Sequence, residues 1–479
     1  MKGSFTFNSI RKEYIFCEDE GRTYSTAPVS RNLLSIPGFP GAHLINSDVG
    51  VLTIQQNVFF DSDSLTDFFS MKEEIAGWLL TDKICPLIFD DQPDRTYHAV
   101  IDGSIDIEEL LLVGNITLTF ICPDPYSYGP EQIIRLETIL GNIVNIEGTA
   151  PTKPVFELNV LAPITFSMVS NGQEYMVIGK PADVTEEEVD DRTNVLHEEG
   201  STLDTWSTTP VKVDENFSDI DGVMANDGSG IYVEDFGTGN KMHGPAMTKE
   251  ITPVQDFELE TIFDVITDDN EENFRMEVYM FDENFNMLGK FGINDNSRYL
   301  KRIRGLARVG EYVDRNTRYA IGSSNYEREL GEVSLMFFRV KRVGNKYTFY
   351  ISQIVNGDHQ DTLTATYTDD SGEYLGRLRY VEIFIGKWQD RQRPFRARIN
   401  NINVWQLAQT TVDQTPIIAR IGDKITIDNQ NKKLLLNGEP VVKGDFGSSP
   451  FSLKPGENKV VLLPENAVQG VMKYNPAFK

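Results

Sequence analysis

The chain has 479 residues, of which 72 are acidic and 45 are basic, so its formal net charge is −27 at pH 7. A chain of this length exceeds a single core and predicts about three domains. The acidic excess argues against general nucleic-acid binding, because phosphates would be repelled. No apolar run approaches the roughly 18 residues of a membrane helix, and Met1–Phe5 lacks the apolar segment of a signal peptide. The three cysteines, Cys17, Cys85 and Cys122, are too widely spaced for a zinc site and predict buried, reduced thiols.

Alternating apolar residues dominate the first 150 residues and predict β-strands. Ile116, Leu118 and Phe120 alternate with threonines, which is typical of a strand with one buried face. One amphipathic helix is predicted from Leu65 to Leu80, because apolar residues recur there at steps of three and four. We expect this helix to pack on the sheet.

Two short phrases frame this β-rich region. The first runs from Asp90 to Tyr97 and the second from Cys122 to Gly129. Together with the opening phrase Gly3–Asn8 and the later phrase Pro37–Gly41, they resemble the signature of the distal tail protein family of long-tailed phages. The residues that carry the two framing phrases are Asp91, Pro93, Asp94, Arg95, Tyr97, Pro123, Asp124, Pro125 and Tyr126. One position departs from the family pattern, since Gln92 stands where the family usually has glutamate.

The resemblance implies a structural role. It predicts that residues 1–148 form a ring-forming β-barrel with one helix, and that six copies assemble into the hub ring at the tip of the tail. Back-to-back rings are a second arrangement that the resemblance allows. It further implies contacts with the tail tube protein and with the tail-associated fibre or lysin protein. The protein would be made in the host cytoplasm and would end in the virion, at the tail tip or baseplate.

A second domain is predicted to be divided in the sequence. Residues 149–195 and 411–479 each contain strand patterns, but neither has enough strands to close a sandwich alone. The closing stretch from Ser452 to Val460 resembles the C-terminal galectin-like sandwich of the family. We therefore predict one discontinuous β-sandwich, interrupted by an inserted domain at residues 196–410. The strand rhythm of the insert resembles jelly-roll, concanavalin-like and carbohydrate-binding sandwiches.

Two parts of the insert suggest contact with a host-surface glycan. Seven basic residues lie between Arg298 and Arg318 and could meet a phosphate-rich wall polymer; the alternative is that they balance acidic neighbours. The phrase from Lys387 to Phe395 offers an indole beside polar side chains, as sugar stacking requires; the alternative is a tryptophan packed under a loop. The predicted glycan-binding residues are Trp388, Arg391, Arg393, Tyr299, Arg302 and Arg304. Trp405 is predicted to lie in the core of the insert, and Trp206 at its entry.

The sequence contains no recognisable catalytic or metal-binding pattern. Its five histidines are scattered, and it has no Gly-x-Ser-x-Gly elbow. The acidic run 268–272 lacks the spacing of a calcium loop and reads better as a solvated turn. We therefore predict no enzyme activity, cofactor or metal. Two alternatives stay open: a cell-wall polysaccharide depolymerase, and a peripheral receptor-binding protein without a hub role.

Overall fold

The computed structural model describes residues 3–479 except 24–25, 61–67, 104–114, 138–140, 184, 215–216, 298, 323, 330–334, 409–413 and 442–446. The chain divides into two compact units. Unit 1 comprises Met1–Gly179, Ala419–Leu436 and Val441–Lys479, and unit 2 comprises Lys180–Ile418 and Asn437–Pro440. Unit 2 is therefore inserted in the sequence of unit 1.

The first part of unit 1 contains twelve strands and one helix among its described residues. These are β1 (Phe5–Phe7), β2 (Ile10–Arg11), β3 (Ile15–Arg22), β4 (Val29–Leu34), β5 (His43–Val49), β6 (Leu52–Phe60), α1 (Phe68–Leu79), β7 (Cys85–Phe89), β8 (Thr96–Asp102), β9 (Asn115–Cys122), β10 (Ser127–Tyr128), β11 (Gln132–Leu136) and β12 (Asn142–Ile146). The helix agrees with the predicted one, whose first residues fall in 61–67, outside the described part of the chain.

The N-terminal sheet of unit 1 has the strand order β2-β1-β7-β8-β9-β6-β3. A main-chain hydrogen bond from Cys17 N to Gly3 O (2.8 Å) joins β3 to the segment before β1 and curls the sheet. Inside lie the fully buried rings of Phe5, Phe89 and Phe120. The indole of Trp78 on α1 stacks on Phe5, with ring centroids 5.4 Å apart, which holds the helix against the sheet.

The remainder of unit 1 forms two further sheets from both sides of the insertion. Their strands, besides β11 and β12, are β13 (Val155–Val160), β14 (Phe166–Ser170) and β15 (Tyr175–Gly179), and, beyond unit 2 in sequence, β35 (Lys424–Asp428), β36 (Lys433–Leu436), β38 (Gly456–Leu463) and β39 (Val468–Tyr474). Strand β40 (Ala477–Phe478) pairs instead with β10. One sheet runs β11-β39-β13-β35-β36, and the other runs β12-β38-β14-β15. Strands from before and after the insertion thus pair with each other in both sheets, and Phe156 packs on Phe451 with ring centroids 6.0 Å apart.

Apart from one short 3₁₀ turn, the regular secondary structure described in unit 2 consists of β-strands. They are β16 (Glu187–Val189), β17 (Arg192–Glu198), β18 (Ser218–Ile220), β19 (Val223–Asn226), β20 (Ile231–Asp235), β21 (Met242–Gly244), β22 (Ala246–Val254), β23 (Phe257–Ile266), β24 (Phe274–Asp282), β25 (Met287–Asp295), β26 (Arg302–Val309), β27 (Arg318–Ile321), β28 (Glu327–Glu329), β29 (Leu335–Val343), β30 (Lys346–Val355), β31 (Asp358–Thr368), β32 (Leu378–Trp388), β33 (Arg396–Leu407), β34 (Gln414–Pro416) and β37 (Glu439–Pro440). A 3₁₀ turn spans Asp314–Asn316.

Two large sheets form the sandwich of unit 2. The first runs β19-β20-β33-β23-β29-β30-β31 with β17 on β33, and the second runs β18-β21-β32-β24-β25-β26-β27 with β22 on β32 and β28 on β26. Their facing side chains form one large core that includes Phe263, Phe291 and Phe338. The prediction of a mainly β chain with a sandwich in the insert is confirmed. None of the described helices is long and apolar enough to cross a membrane.

Candidate functional site

The first motif is a tight turn between β7 and β8. Main-chain hydrogen bonds from Gln92 N to Phe89 O (2.9 Å) and from Arg95 N to Gln92 O (3.0 Å) close it. The carboxylate of Asp90 accepts hydrogen bonds from Ser4 N (2.8 Å) and from an Nη of Arg11 (2.5 Å). The turn is therefore fastened to the opening strand of the chain.

The side chains of this turn are fixed by an arginine from β3. Arg22 lies flat on the ring of Phe89, 3.5 Å from its centroid, and forms an ion pair with Asp91 at 2.9 Å. At the departure from the family pattern, the Gln92 amide oxygen accepts a hydrogen bond from the hydroxyl of Tyr97 at 3.1 Å. An amide serves here as a neutral acceptor, so the departure leaves the turn closed.

The second motif is organised around Asp124. One oxygen accepts the backbone N–H of Tyr126 (3.3 Å) and the other accepts the hydroxyl of Tyr128 (2.6 Å). Burial of the phenol and the adjacent Asp124 carboxylate together raise the pKa of Tyr128 well above its usual value. Pro123 and Pro125 flank the aspartate and restrict the backbone on both sides of it.

The C-terminal end of the chain joins the two motifs. Strand β40 pairs with β10, which lies within the second motif. The carbonyl of Ala477 accepts hydrogen bonds from Thr149 N (2.8 Å) and Ala150 N (2.9 Å). The guanidinium of Arg95 from the first motif lies 3.6 Å from the ring centroid of Phe478. Both phrases thus meet at the last strand.

Two open cavities lie at this junction. One of 590 Å³ is lined from Asp91 to Arg95 and by Tyr97, Pro125 and Phe478. A second of 1100 Å³ is lined from Pro123 to Tyr126 and by residues of β13 and β39. Each is bounded by both polar and apolar side chains, so this region of unit 1 suits contact with another protein surface.

The phrase Pro37–Gly41 forms the tip of a separate hairpin. Strands β4 and β5 pair with each other and, within the described chain, with no other strand. Gly38 and Gly41 adopt φ of +88° and +85°, conformations that glycine permits at a tight turn. Phe39 at the tip is 72% exposed, and Leu33 and Ile45 on the strands are 60% and 66% exposed. The hairpin therefore presents an unusual amount of apolar surface.

In unit 2 the structure brings together the two stretches predicted to bind glycan. Arg391 donates a hydrogen bond to the amide oxygen of Asn273, and the amide nitrogen of Asn273 donates to Ser297 O at 2.5 Å. Tyr299 follows on the same loop and is 81% exposed, whereas Trp388 is half-buried. Arg393 is exposed beside them.

The basic residues between positions 298 and 318 are mostly engaged by acidic partners. Arg302 and Arg304 both bind Glu327, at 2.8 and 2.9 Å. Arg318 binds Glu373 at 2.8 Å. Arg308 lies in the interior of unit 2, and Arg298 falls outside the described residues. This pattern favours the alternative in which the stretch balances acidic neighbours.

Two tryptophans of unit 2 differ in environment. Trp206 is buried, and its indole N–H donates to Glu198 at 3.0 Å. Trp405 was predicted to be core, which is wrong: it is only half-buried, and Arg192 stacks on it 4.1 Å from the ring centroid. The physical reason is strand alternation, because the neighbouring Val404 takes the inward position.

The buried carboxylates of unit 2 are occupied by donors from the same chain. Glu277 accepts from Arg275 (2.8 Å) and Tyr279 (2.5 Å) and binds Lys290. Glu382 accepts Lys212 N (3.2 Å) and other donors of the same unit. Across the described ranges, no cluster of three or more histidine, cysteine or acidic residues could hold a metal ion. The geometry offers no open pair of carboxylates among these groups.

Sequence reasoning missed several residues of these sites. The first motif is completed by two residues that are distant in sequence, Arg22 and Phe478. No local sequence pattern indicates that they contact it. Phe395 is exposed and lies in the same phrase as Trp388, but it was not predicted to bind glycan. Sequence alone does not reveal which of the two aromatic side chains faces solvent. The exposed apolar residues of hairpin β4–β5 were not predicted either, because their sequence pattern does not differ from that of strands with a buried face.

Comparison with known proteins matches both ends of the chain to phage tail families. Residues 10–122 match the phage tail protein RIFT-related domain, and residues 397–478 match the siphovirus-type tail component, C-terminal domain. The distal tail protein of Bacillus phage SPP1 is 26% identical over 140 residues, which are 29% of this chain and 55% of that protein. The chain thus spans about half the length of this curated relative.

Three solved structures are each similar to part of the chain. The crystal structure of the SPP1 distal tail protein is 19% identical, with a TM-score of 0.32, covering 37% of this chain and 74% of that one. The CBM2 module of the evolved distal tail protein of Lactobacillus casei BL23 phage J-1 is 13% identical, with a TM-score of 0.38, covering 47% and 100%. The laminarinase catalytic domain of Thermotoga maritima is 11% identical, with a TM-score of 0.32, covering 46% and 100%. Both ends of the chain are thus similar to phage tail proteins, and the curated relative is a distal tail protein.

Proposed function

We propose that this protein is a structural component of the phage tail tip, where six copies form the hub ring of the baseplate. The two tail-family matches carry the proposal, because one contains the first motif, Asp90–Tyr97, and the other contains strand β40, which pairs with the second motif. The ring would connect the tail tube protein to the tail-associated fibre or lysin protein, and unit 2 would contact host-surface polysaccharide during adsorption. The three-domain division with boundaries at 148, 195 and 410 is retained as part of this proposal.

The hairpin β4–β5 supplies a physical reason for assembly. An isolated two-stranded sheet is marginally stable in water, and this one exposes leucine, isoleucine and phenylalanine side chains. Covering such side chains on association stabilises a complex by about 25 cal/mol per Å². The occupant that we propose is a second copy of this chain, because a head-to-tail contact repeated by rotation closes a ring.

Assembly can be tested on the purified full chain by light scattering and negative-stain electron microscopy. We expect six-fold rings, singly or back to back, and we expect Leu33→Ser combined with Ile45→Ser to yield monomers with an unchanged circular dichroism spectrum. The matched control is Ile421→Ser, since Ile421 is 72% exposed elsewhere in unit 1. Monomers of the unaltered chain at tens of micromolar, even with the tube protein of the same phage added, would contradict the ring.

The same preparation separates the alternatives. A non-enzymatic hub releases no sugar or peptide fragments from host cell walls, whereas a depolymerase releases them until one carboxylate of unit 2 is replaced. A peripheral receptor-binding protein binds walls without forming rings or engaging the tube protein. The observation that favours the non-enzymatic role is that Glu277 and Glu382 are buried against donors of their own unit.

A further inference from the structure

Three loops of unit 2 meet around two buried polar side chains. The described residues of these loops are 267–273, 296–297 with 299–301, and 389–395. Asn273, 2% exposed, links the second and third loops through Ser297 and Arg391. The carboxylate of Glu272 accepts Phe395 N at 3.1 Å and Asp268 N at 2.9 Å. Each loop is thus tied to another by groups that solvent hardly reaches.

The second loop is fixed further by its own turn. The hydroxyl oxygen of Ser297 accepts both Tyr299 N and Leu300 N at 3.2 Å. The amide of Asn270 donates to Tyr299 O at 3.0 Å. These bonds constrain the backbone of the loop before any ligand arrives, which lowers the ordering cost of binding.

On this constrained backbone, three apolar side chains face solvent. Tyr299 is 81% exposed, Phe395 is 67% exposed and Leu300 is 58% exposed. Single exposed apolar residues are ordinary on protein surfaces. Here they stand on two loops that the buried Asn273 and Glu272 tie together, so the apolar surface belongs to one organised rim. We name Tyr299, Leu300 and Phe395 the aromatic rim.

The charges around the aromatic rim favour a neutral ligand. Exposed residues of both signs surround it, including Asp269, Glu271 and Arg393, so its border offers hydrogen-bond donors and acceptors alike. The nearby Arg302 and Arg304 share the carboxylate of Glu327. This carboxylate partly neutralises their charge, which weakens their attraction for phosphate. A pyranose ring presents C–H groups to an aromatic face and hydroxyls to such a border.

We propose that the aromatic rim is the platform on which unit 2 binds neutral, uncharged polysaccharide, with Tyr299 and Phe395 stacking on sugar rings. This inference rests on the glycan contact proposed above and specifies its residues and ligand class. Trp388 is a secondary contributor, because its side chain is half-buried on β32. Six rims on one ring would engage a repetitive polymer together and raise retention by about a hundredfold or more.

The test measures binding of the full chain to immobilised polymers by biolayer interferometry. The probes are neutral polysaccharides (a β-glucan, a galactan and a rhamnan) and, as the charged comparison, poly(glycerol phosphate). We expect binding to at least one neutral polymer that changes less than about twofold between about 0.05 and 0.5 M salt, since no net charge is paired. Tyr299→Ala and Phe395→Ala should each weaken it by roughly tenfold.

The control variant is Phe285→Ala, which removes another exposed phenylalanine of unit 2 and should leave binding unchanged. All variants should keep their thermal stability and ring assembly. Binding to poly(glycerol phosphate) alone, loss of binding only in Trp388→Ala, or no binding to any neutral polymer would each overturn the proposal. Rings that form normally in those cases would leave the hub function standing, so the two failures are distinguishable. Capture of another tail protein that depends on Tyr299 and Phe395 would reassign the rim to a protein contact.

Discussion

Replacing Asp214 by asparagine should destabilise unit 2 strongly, because this carboxylate lies among three cations. Its oxygens bind Arg308 in a fork at 2.5 and 2.7 Å and contact Lys290 at 2.6 Å and Arg275 at 3.4 Å. Lys290 is fully buried and Arg308 is 1% exposed. Glu277 also pairs with two of these cations, Arg275 and Lys290.

The magnitude follows from removing one partner of a buried ion pair while its cations remain. Such changes cost about 3–5 kcal/mol. For a unit of this size each kcal/mol lowers Tm by about 2–4 °C, so we expect the Tm of Asp214→Asn to fall by about 6–20 °C. The control is Glu250→Gln at the exposed pair with Arg379, where the expected change is within about 0.5 kcal/mol.

The penalty should also depend on pH. Burial acts to raise the pKa of Asp214, but Arg308 and Lys290 outweigh it and hold that pKa well below its ordinary value. A lowered folded-state pKa means that the carboxylate stabilises the fold above its unfolded pKa of about 4, and that this contribution is lost as the pH falls from there toward the folded pKa. The difference in Tm between the two proteins should therefore be full at neutral pH and shrink below about pH 4.

Differential scanning calorimetry of the full chain measures this difference. A second variant, Asp214→Asn with Arg308→Met, should recover part of the lost stability, because it removes a stranded buried charge. If the free energy of unfolding of Asp214→Asn lies within about 1 kcal/mol of that of the unaltered protein at neutral pH, the argument from burial is refuted. Water or a movement of the chain would then compensate for the lost carboxylate.

Other predictions concern unit 1 and the insertion. Burial raises the pKa of Cys17 to about 11 and of Cys122 to about 12. Both thiols should therefore resist iodoacetamide at pH 8 in the native protein and react with it after unfolding. Mass spectrometry detects the labelling, and rapid labelling of the native protein would contradict this prediction. Tyr128→Phe removes a hydrogen bond to Asp124 and should cost about 1 kcal/mol in urea unfolding, and an unchanged midpoint would remove the bond from the account. Replacing residues 180–418 by a short Gly/Ser linker should leave a soluble protein that unfolds cooperatively, and an insoluble product would mean that unit 1 requires the insert.

Local patterns predicted the parts of the fold that depend on near neighbours. The turn from Asp90 to Arg95 closes through hydrogen bonds over three residues, and Pro93 restricts it in any context. Strand alternation predicted the mainly β character, and the spacing of apolar residues predicted α1. Each of these properties is set within about ten residues, so it is legible in the sequence.

Contacts between distant segments were not predictable in the same way. Nothing near Arg95 indicates that its guanidinium packs on Phe478. Trp405 illustrates a different limit: it and Val404 are both apolar and adjacent on a strand, and sequence alone does not say which one faces inward. The basic stretch shows a further limit: Arg302, Arg304 and Arg308 share one face of β26, but Arg308 is buried against Asp214, whereas Arg302 and Arg304 lie beside Glu327.

The hairpin β4–β5 and the aromatic rim differ in the chemistry of their exposed side chains. Besides Phe39, the apolar side chains of the hairpin β4–β5 are leucine, isoleucine and valine, which gain free energy when a matching apolar surface excludes water from them. The aromatic rim instead places rings among charged and amide groups, an arrangement that accepts a ligand which is itself half polar. Because unit 2 has its own core, changes in the rim need not disturb the strands that hold the hairpin and both motifs. Under the functions proposed above, assembly and surface recognition would therefore vary independently, and variants of one surface should leave the other intact.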